Sequence, residues 1–203
     1  MEVLVQNRVK EASELAPADV KIILLGDSAV GKSKLVERFL MNDYEERQLS
    51  TYALTMFRHN AELDGHKLAV DIWDTAGQDC FNSLHPSYYF GAHACILVFD
   101  VTRKPTYMNL KTWYQEMRSF CPDIPCVLIA NKIDVNYEVT KKRFQFPEQY
   151  NLPFYYVSAA DGTNVVKIFH ETLRMALDFK HNRPNTFEAD VMDLLEDDSW
   201  MTS

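Results

Sequence analysis

The apolar run 20–25 is followed at once by Gly26-Asp27-Ser28-Ala29-Val30-Gly31-Lys32-Ser33. This stretch is a complete Gly-x4-Gly-Lys-Ser motif in the strand-to-helix setting that phosphate-binding loops require. Glycine lets the backbone curl, so that successive N–H groups and the start of the next helix point at phosphate oxygens. Lys32 would add positive charge at the β and γ phosphates, and the Ser33 hydroxyl would bind Mg²⁺. We therefore expect residues 26–33 and the adjoining Lys34 to bind the phosphates of a nucleotide.

A second motif bears on the base that this nucleotide carries. Asn131-Lys132-Ile133-Asp134 directly follow the apolar strand 127–130. A carboxylate accepts several hydrogen bonds, so Asp134 can accept from both N1–H and N2–H₂ of guanine, a pair of donors that adenine lacks. The motif alone could be an ordinary turn at a strand end, but Ser158-Ala159 follow the next apolar run, where a backbone N–H can donate to guanine O6. Together they predict a guanine nucleotide and disfavour an ATP-dependent kinase.

A third motif, Asp74-Thr75-Ala76-Gly77-Gln78, ends another apolar run. It places the Asp74 carboxylate next to the metal and the Gly77 N–H where it can meet a γ-phosphate. Gln78 can then orient the attacking water, because phosphoryl transfer depends on positioning and electrostatic stabilisation more than on covalent chemistry. We expect Gln78 to be the catalytic residue.

The composition limits the size and the partners of the protein. The 203 residues suffice for about one domain and a tail, and 47% hydrophobic with 25% charged residues is typical of a globular chain. A net charge of −8 argues against nucleic acid or anionic lipid as the main partner, since both are bound largely through Lys and Arg clusters.

The four cysteines show neither Cys-x-x-Cys nor zinc-finger spacing, which favours reduced cytosolic thiols. The N-terminus lacks the apolar run of a signal peptide and the glycine at position 2 that myristoylation needs. No stretch approaches the roughly 20 apolar residues that span a bilayer. We expect a cytoplasmic protein.

Apolar, β-rich runs alternate with helical patterns along the chain. This alternation predicts an α/β fold: an open, mostly parallel six-stranded sheet with helices on both faces and a ligand site at the carboxyl ends of the strands. The exception is the run 52–59, which should pair antiparallel with 67–71 at the sheet edge through the turn dipeptide Asp64-Gly65. The other predicted strands are 20–25, 68–73, 95–99, 126–130 and 154–157, and the predicted helices are 32–41, 110–120 and one from 165 onward.

The chain divides into a leader at 1–18, one domain at 19–182 and an acidic tail at 183–203. Pro17 and Asp19 punctuate the end of the leader, and the composition shifts after Pro184. In the tail, Phe187, Val191, Leu194 and Leu195 form one helical stripe opposite acidic residues, so we expect it to be partly helical. Docking on a partner and folding back on its own domain are equally open.

These motifs resemble those of Ras-superfamily small GTPases of the Rab branch over about residues 20–180. The match is carried by the three motifs above and by Ser87-Tyr88-Tyr89 with Gly91-Ala92. Longer strings resemble the Rab-like protein 2 family of ciliary GTPases: 26–35, Leu49-Ser50-Thr51-Tyr52-Ala53-Leu54-Thr55, and Ser158-Ala159-Ala160-Asp161-Gly162-Thr163-Asn164-Val165-Val166-Lys167.

The resemblance implies a small-GTPase fold that binds GTP or GDP with Mg²⁺. Thr51, after Ser50 and 18 residues beyond Ser33, matches the threonine that reports the γ-phosphate. It would join Ser33 and Asp74 as a metal ligand. Tyr44 matches the aromatic residue that covers guanine, although a half-buried surface tyrosine is the alternative. Ala160 would complete the guanine loop with Ser158 and Ala159.

The resemblance also implies a monomeric switch with GTP-dependent effectors. The family implies that these effectors are subunits of the intraflagellar transport B complex and that a centriole or basal-body protein recruits the GTPase. It also implies a location at the cilium or flagellum and its basal body. We expect switch loops around Thr51 and Gly77, and the aromatic residues Trp73, Tyr88 and Tyr89, to contact the effector, since interface energy concentrates in aromatic side chains.

Four departures from the Rab pattern matter. Gln78 is followed by Asp79-Cys80 rather than Glu-Arg, Thr51 by Tyr52-Ala53-Leu54 rather than Ile-Gly-Val, and Ala160 stands where many relatives carry Lys. The last cysteine is Cys126, so we expect no direct lipid anchor. Two functions stay open: a switch that slowly hydrolyses GTP, and a guanine-nucleotide binding module with negligible hydrolysis.

Overall fold

The strands form one sheet in the order β2-β3-β1-β4-β5-β6. The structure, a computed structural model, describes residues 17–41, 54–63, 65–75 and 86–182. The predicted leader up to residue 16 and the predicted tail lie outside them, and the domain boundaries remain predictions. The strands are β1 (Val20–Leu25), β2 (Leu54–Leu63), β3 (His66–Thr75), β4 (Ala94–Asp100), β5 (Cys126–Asn131) and β6 (Phe154–Tyr156).

Six helices accompany these strands in the described residues. They are α1 (Lys32–Met41), α2 (Pro86–Tyr89), α3 (Lys104–Met108), α4 (Leu110–Phe120), α5 (Gln145–Gln149) and α6 (Val165–Asn182), and a 3₁₀ turn covers Tyr137–Lys141. The long helices confirm the sequence patterns. The sequence analysis missed α2, α3, α5 and the 3₁₀ turn, because four or five residues are too few to show a helical period.

The sheet confirms the predicted topology. β1 pairs parallel with β3 and β4, and β4–β5 and β5–β6 are also parallel pairs, whereas β2 pairs antiparallel with β3. The antiparallel pair is longer than predicted and reaches Leu63 opposite His66. Gly65 lies in the turn with φ of +80°, a conformation that costs glycine little. The tight turn lets pairing continue through the polar residues at the end of the hairpin.

Strand alternation divides the core into two layers. Ile22 and Leu24 of β1 join the cluster beneath α1 and α6, whereas Ile23 and Leu25 join the cluster beneath α4. All four side chains are fully buried, as expected for a central strand covered on both faces. In the described residues no helix is long and apolar enough to cross a membrane.

Replacing Phe169 by alanine should lower the free energy of unfolding by about 3–5 kcal/mol. Phe169 is fully buried in α6 and stacks on Phe39 at a ring-centroid distance of 4.3 Å. Urea unfolding followed by circular dichroism measures the change. Val166→Ala is the control, since Val166 lies in the same helix and is 49% exposed. Equal losses for both variants would contradict this view of the core.

Candidate nucleotide-binding site

The predicted motifs meet at one edge of the sheet. The loop 26–31 follows β1, Asp74 lies near the end of β3, Asn131 ends β5, and Ser158 comes just after β6. These strands are parallel, so their carboxyl ends share the edge where ligands bind in open α/β sheets.

The loop 26–31 requires glycine at two positions, Gly26 and Gly31. Gly26 has φ of +142° and Gly31 has φ of +100°. A Cβ on Gly26 would overlap the Val98 carbonyl oxygen, and one on Gly31 would overlap Nδ2 of Asn131. The loop leads into α1 at Lys32, and the first N–H groups of a helix have no partners within it. This geometry suits an anionic ligand.

The Lys32 side chain is held inside this loop. It is 5% exposed, and its Nζ donates to the carbonyl oxygens of Gly26 at 2.7 Å and Asp27 at 2.9 Å. Burial lowers the pKa of Lys32 to about 8, against the opposite effect of the Asp74 and Asp27 carboxylates. A phosphate in the loop would compensate for the lost hydration and favour the charged amine.

Ser33 and Asp74 bring two oxygen ligands together beside the loop. The Ser33 hydroxyl donates to Oδ2 of Asp74, whose side chain is fully buried. Across the described residues no group of three or more His, Cys, Asp or Glu is placed to hold a metal. One hydroxyl and one carboxylate still fit Mg²⁺, which is usually bound through one or two carboxylates, waters and the phosphates of its substrate.

Asn131 joins the phosphate loop to the loop after β6. Its Nδ2 donates to the Val30 carbonyl at 2.8 Å, and its Oδ1 accepts from the Ala159 N–H at 3.1 Å. The side chain is 1% exposed. Asn131 therefore fixes the spacing between the two loops that would bind the ends of a nucleotide.

Lys132 also contacts the phosphate loop. Its Nζ donates to the Ala29 carbonyl at 2.9 Å and pairs with Oδ2 of Asp100 at 2.7 Å. Burial by itself would raise the pKa of Asp100, but hydrogen bonds from Lys132 and Thr102 outweigh it and lower the pKa. Asp100 thus stays ionised and keeps Lys132 in place.

Asp134 is aligned by Ser158. The Ser158 hydroxyl donates to Oδ1 of Asp134 at 2.6 Å, a contact that the sequence analysis did not foresee. The Asp134 side chain is exposed, so its carboxylate remains accessible to a base. The Ala159 N–H already donates to Asn131. Contact with guanine O6 therefore requires that N–H to be shared between two acceptors, or the N–H of Ala160.

Arg38 is a site residue that the sequence analysis missed. Its Nε donates to the Ala159 carbonyl at 3.1 Å, and its Nη2 donates to the carbonyl of Ala160. Arg38 lies in α1, more than 120 positions before these carbonyls. No motif contains it, because the contact depends on how α1 packs in the folded chain.

The remaining predicted residues divide into two groups. The Lys34 side chain pairs with Glu37 at 2.6 Å on α1, which leaves its backbone N–H for the phosphates. The other five lie outside the described residues: Tyr44, Ser50, Thr51, Gly77 and Gln78.

The comparisons with known proteins agree with this site. The sequence profile of the Ras family matches residues 21–178, so the chain belongs to the Ras family. Rab-like protein 2A from Mus musculus is 58% identical over 178 residues, which cover 88% of this chain and 79% of the relative. Rab-like protein 2B from Homo sapiens is 60% identical over 167 residues, with coverage of 82% and 73%.

More distant Rab proteins also match. The GTP-binding protein ypt1 from Schizosaccharomyces pombe is 38% identical over 176 residues, which cover 83% of this chain and 84% of the relative. The chain is thus a small GTPase of the Rab branch that binds GTP and GDP. Members of the family hydrolyse GTP, which supports the hydrolysing switch over the binding module with negligible hydrolysis.

Replacing Gly31 by alanine should abolish retention of a fluorescent GDP analogue, because the added Cβ displaces Asn131. Gly91→Ala is the matched control. Gly91 also has a positive φ, of +68°, but nothing lies within 4 Å of its Cβ position. The control should lose about 1 kcal/mol of stability and retain the analogue. Equal retention by both variants would contradict the importance of the Gly31–Asn131 contact.

Proposed function

We propose that this GTPase is a guanine-specific switch that recruits effector proteins only in its GTP state. The observation that carries the proposal is the meeting of the phosphate loop, Asp74 and the Asn131–Asp134 segment at one sheet edge. It places groups suited to phosphate, Mg²⁺ and a base near one another at the carboxyl ends of the strands, which supports a single nucleotide site.

The phosphate end of the site would be formed by residues 26–33 and the Lys34 N–H, with Lys32 as the positive charge. Ser33, Asp74 and Thr51 would hold Mg²⁺, which supplies charge stabilisation for the phosphate oxygens. Gln78 would orient the water that attacks the γ-phosphate. Intrinsic hydrolysis should be slow, of the order of 10⁻⁴ s⁻¹, as in small GTPases without an arginine finger.

The base end would be formed by Asp134, with Ala159 or Ala160 supplying an N–H for O6. The Ser158 hydroxyl donates to Oδ1 of Asp134. A carboxylate accepts several hydrogen bonds, so both guanine donors can still bind. Tyr44 would cover the base, and Arg38 would stabilise the loop from α1.

Replacing Asp134 by alanine should weaken GTP binding about a hundredfold or more. Two charge-assisted hydrogen bonds would be lost, at roughly 1.5–3 kcal/mol each, and ATP should then compete with GTP. Competition against a fluorescent GDP analogue measures both. Asp123→Ala, which removes an exposed carboxylate outside these motifs, should keep guanine preference. Equal GTP and ATP affinity in the unmodified protein would refute the role of Asp134.

The effector surface would centre on Trp73 of β3. Lys21 lies over the indole ring, with its Nζ 3.6 Å from the ring centroid, and Trp73 is half-buried. The expectation that Tyr88 and Tyr89 also anchor a partner is wrong, because they are only 3% and 1% exposed. Their hydroxyls donate inward, from Tyr88 to the Leu24 carbonyl and from Tyr89 to Glu116.

The switch itself would work through Thr51 and Gly77. Both would contact the γ-phosphate, and its loss releases their loops. An effector that binds the ordered loops then distinguishes the two states by the free energy of ordering them. The resemblance to the Rab-like protein 2 family supports subunits of the intraflagellar transport B complex as effectors. On the same basis we propose a role at the cilium and its basal body, with a basal-body protein as recruiter.

Protein loaded with a non-hydrolysable GTP analogue should capture intraflagellar transport B subunits at least tenfold better than GDP-loaded protein. Immunoblotting of captured subunits measures the ratio. Trp73→Ala should reduce capture without changing nucleotide binding. Phe120→Ala, which removes a 45% exposed ring at the end of α4, should leave capture unchanged. Equal capture in the two nucleotide states would refute the switch.

A further inference from the structure

Four consecutive residues of the phosphate loop are each held by a side chain from outside the loop. Lys132 and Asn131 donate to the carbonyls of Ala29 and Val30, and both belong to the guanine motif. The other two, Asp27 and Ser28, are held from a segment without a nucleotide-binding motif, residues 100–113. We call this segment the outer brace.

The first contact of the outer brace is a clamp on the Asp27 carboxylate. Asn109 Nδ2 donates to Oδ2 and Trp113 Nε1 donates to Oδ1, each at 2.8 Å. Asn109 precedes α4 and Trp113 lies four residues later, so both lie on one face of the helix. Hydrogen bonds to a charged group are stronger than neutral ones. The Trp113 bond is partly buried, whereas the Asn109 bond is exposed.

The second contact holds the Ser28 carbonyl. Arg103 Nη2 donates to it at 2.6 Å, and Arg103 Nε donates to Oδ2 of Asp100 at 3.0 Å. Asp100 ends β4, is 1% exposed and also pairs with Lys132. One buried carboxylate therefore orients two cations that bind adjacent carbonyls of the phosphate loop.

The phosphate loop needs such support. Ala29 has φ of +59°, and such conformations persist in non-glycine residues only when the surroundings enforce them. Lys32 donates to the carbonyls of Gly26 and Asp27. A shift of residues 27 and 28 would therefore also move an acceptor that aims the Lys32 amine.

We propose that Arg103, Asn109 and Trp113 are positioning residues that keep the phosphate loop in its binding conformation and so set the rate at which nucleotide leaves. This inference rests on the proposed nucleotide site but goes beyond it. It assigns control of nucleotide retention to Asn109 and Trp113 at the start of α4 and to Arg103 between β4 and α3.

Removing each contact should accelerate release of a fluorescent GDP analogue in a chase with excess GDP. Trp113→Phe, which keeps a ring but loses the donor, should release about tenfold faster, equivalent to about 1.4 kcal/mol. Arg103→Gln should act similarly. Asn109→Ala should accelerate release about threefold, because its bond is exposed to water. The association rate should change less than the release rate.

An exchange of donor and acceptor separates positioning from general stability. Asn109→Asp alone places a second carboxylate against the Asp27 carboxylate, with no donor between them, and should speed release. Combining it with Asp27→Asn restores a donor and an acceptor, and should return the release rate to within about threefold of the unmodified protein. A structural effect of either substitution alone would instead add in the double variant.

Two control variants lie in the same helix. Arg118→Gln removes another arginine that donates to backbone carbonyls, those of Cys121, Pro122 and Ile124, and Tyr114→Phe alters the residue after Trp113. Both should keep the release rate of the unmodified protein even where they lower the melting temperature.

The outcomes distinguish a failure of the nucleotide site from a failure of the outer brace. If the unmodified protein does not bind the GDP analogue, the proposed nucleotide site is overturned. If it binds, and the folded brace variants release it at the unmodified rate, only the outer brace is overturned. Equally fast release from the two controls, or no rescue by the exchange, also overturns it.

Discussion

The carboxamide of Asn131 is the contact on which the site depends. It lies at the end of β5, and its two ends are bonded to loops that follow two other strands. Both bonds are buried, so loss of the side chain would leave the Val30 carbonyl and the Ala159 N–H without these partners. Each such group costs roughly 1–3 kcal/mol. The same carboxamide occupies the space that a Cβ on Gly31 would need, which couples glycine at that position to asparagine at the strand end.

The sheet makes this contact possible. Two apolar layers hold β1, β4 and β5 in parallel register, so that their ends are level along one edge. α1 lies on one face with Arg38 reaching the loop after β6, and α4 lies on the other with Trp113 reaching the loop after β1. The helices therefore cover the core and also hold the loops at its edge.

Charge is distributed unevenly around the loop. Lys32 points inward with a pKa lowered to about 8, mainly by burial, while Lys132 and Arg103 share Asp100 on the outside. The outer cations are balanced by a carboxylate and serve as donors to backbone carbonyls. The inner one, Lys32, donates to the carbonyls of Gly26 and Asp27 and is the cation that we propose for the phosphates. This division separates the groups that would bind nucleotide from those that shape its loop, although both groups are cationic.

The sequence by itself determined the class of fold and the chemistry of most site residues. Gly26–Ser33 and Asn131–Asp134 are contiguous motifs, and the functions predicted for them follow from backbone conformation and side-chain type at fixed spacing. The alternation of apolar runs and helices likewise predicted the parallel sheet, and the turn dipeptide Asp64-Gly65 predicted its antiparallel edge. Only the tertiary structure decided which residues outside the motifs support the site: Arg38, Arg103, Asn109 and Trp113. Each meets its partner across 75 or more positions, and a contact of that kind depends on how helices pack against the sheet. The spacing of residues along the sequence does not predict such a contact. The burial of Tyr88 and Tyr89 was not predicted either, because the sequence of an aromatic pair is the same whether the fold exposes it or buries it.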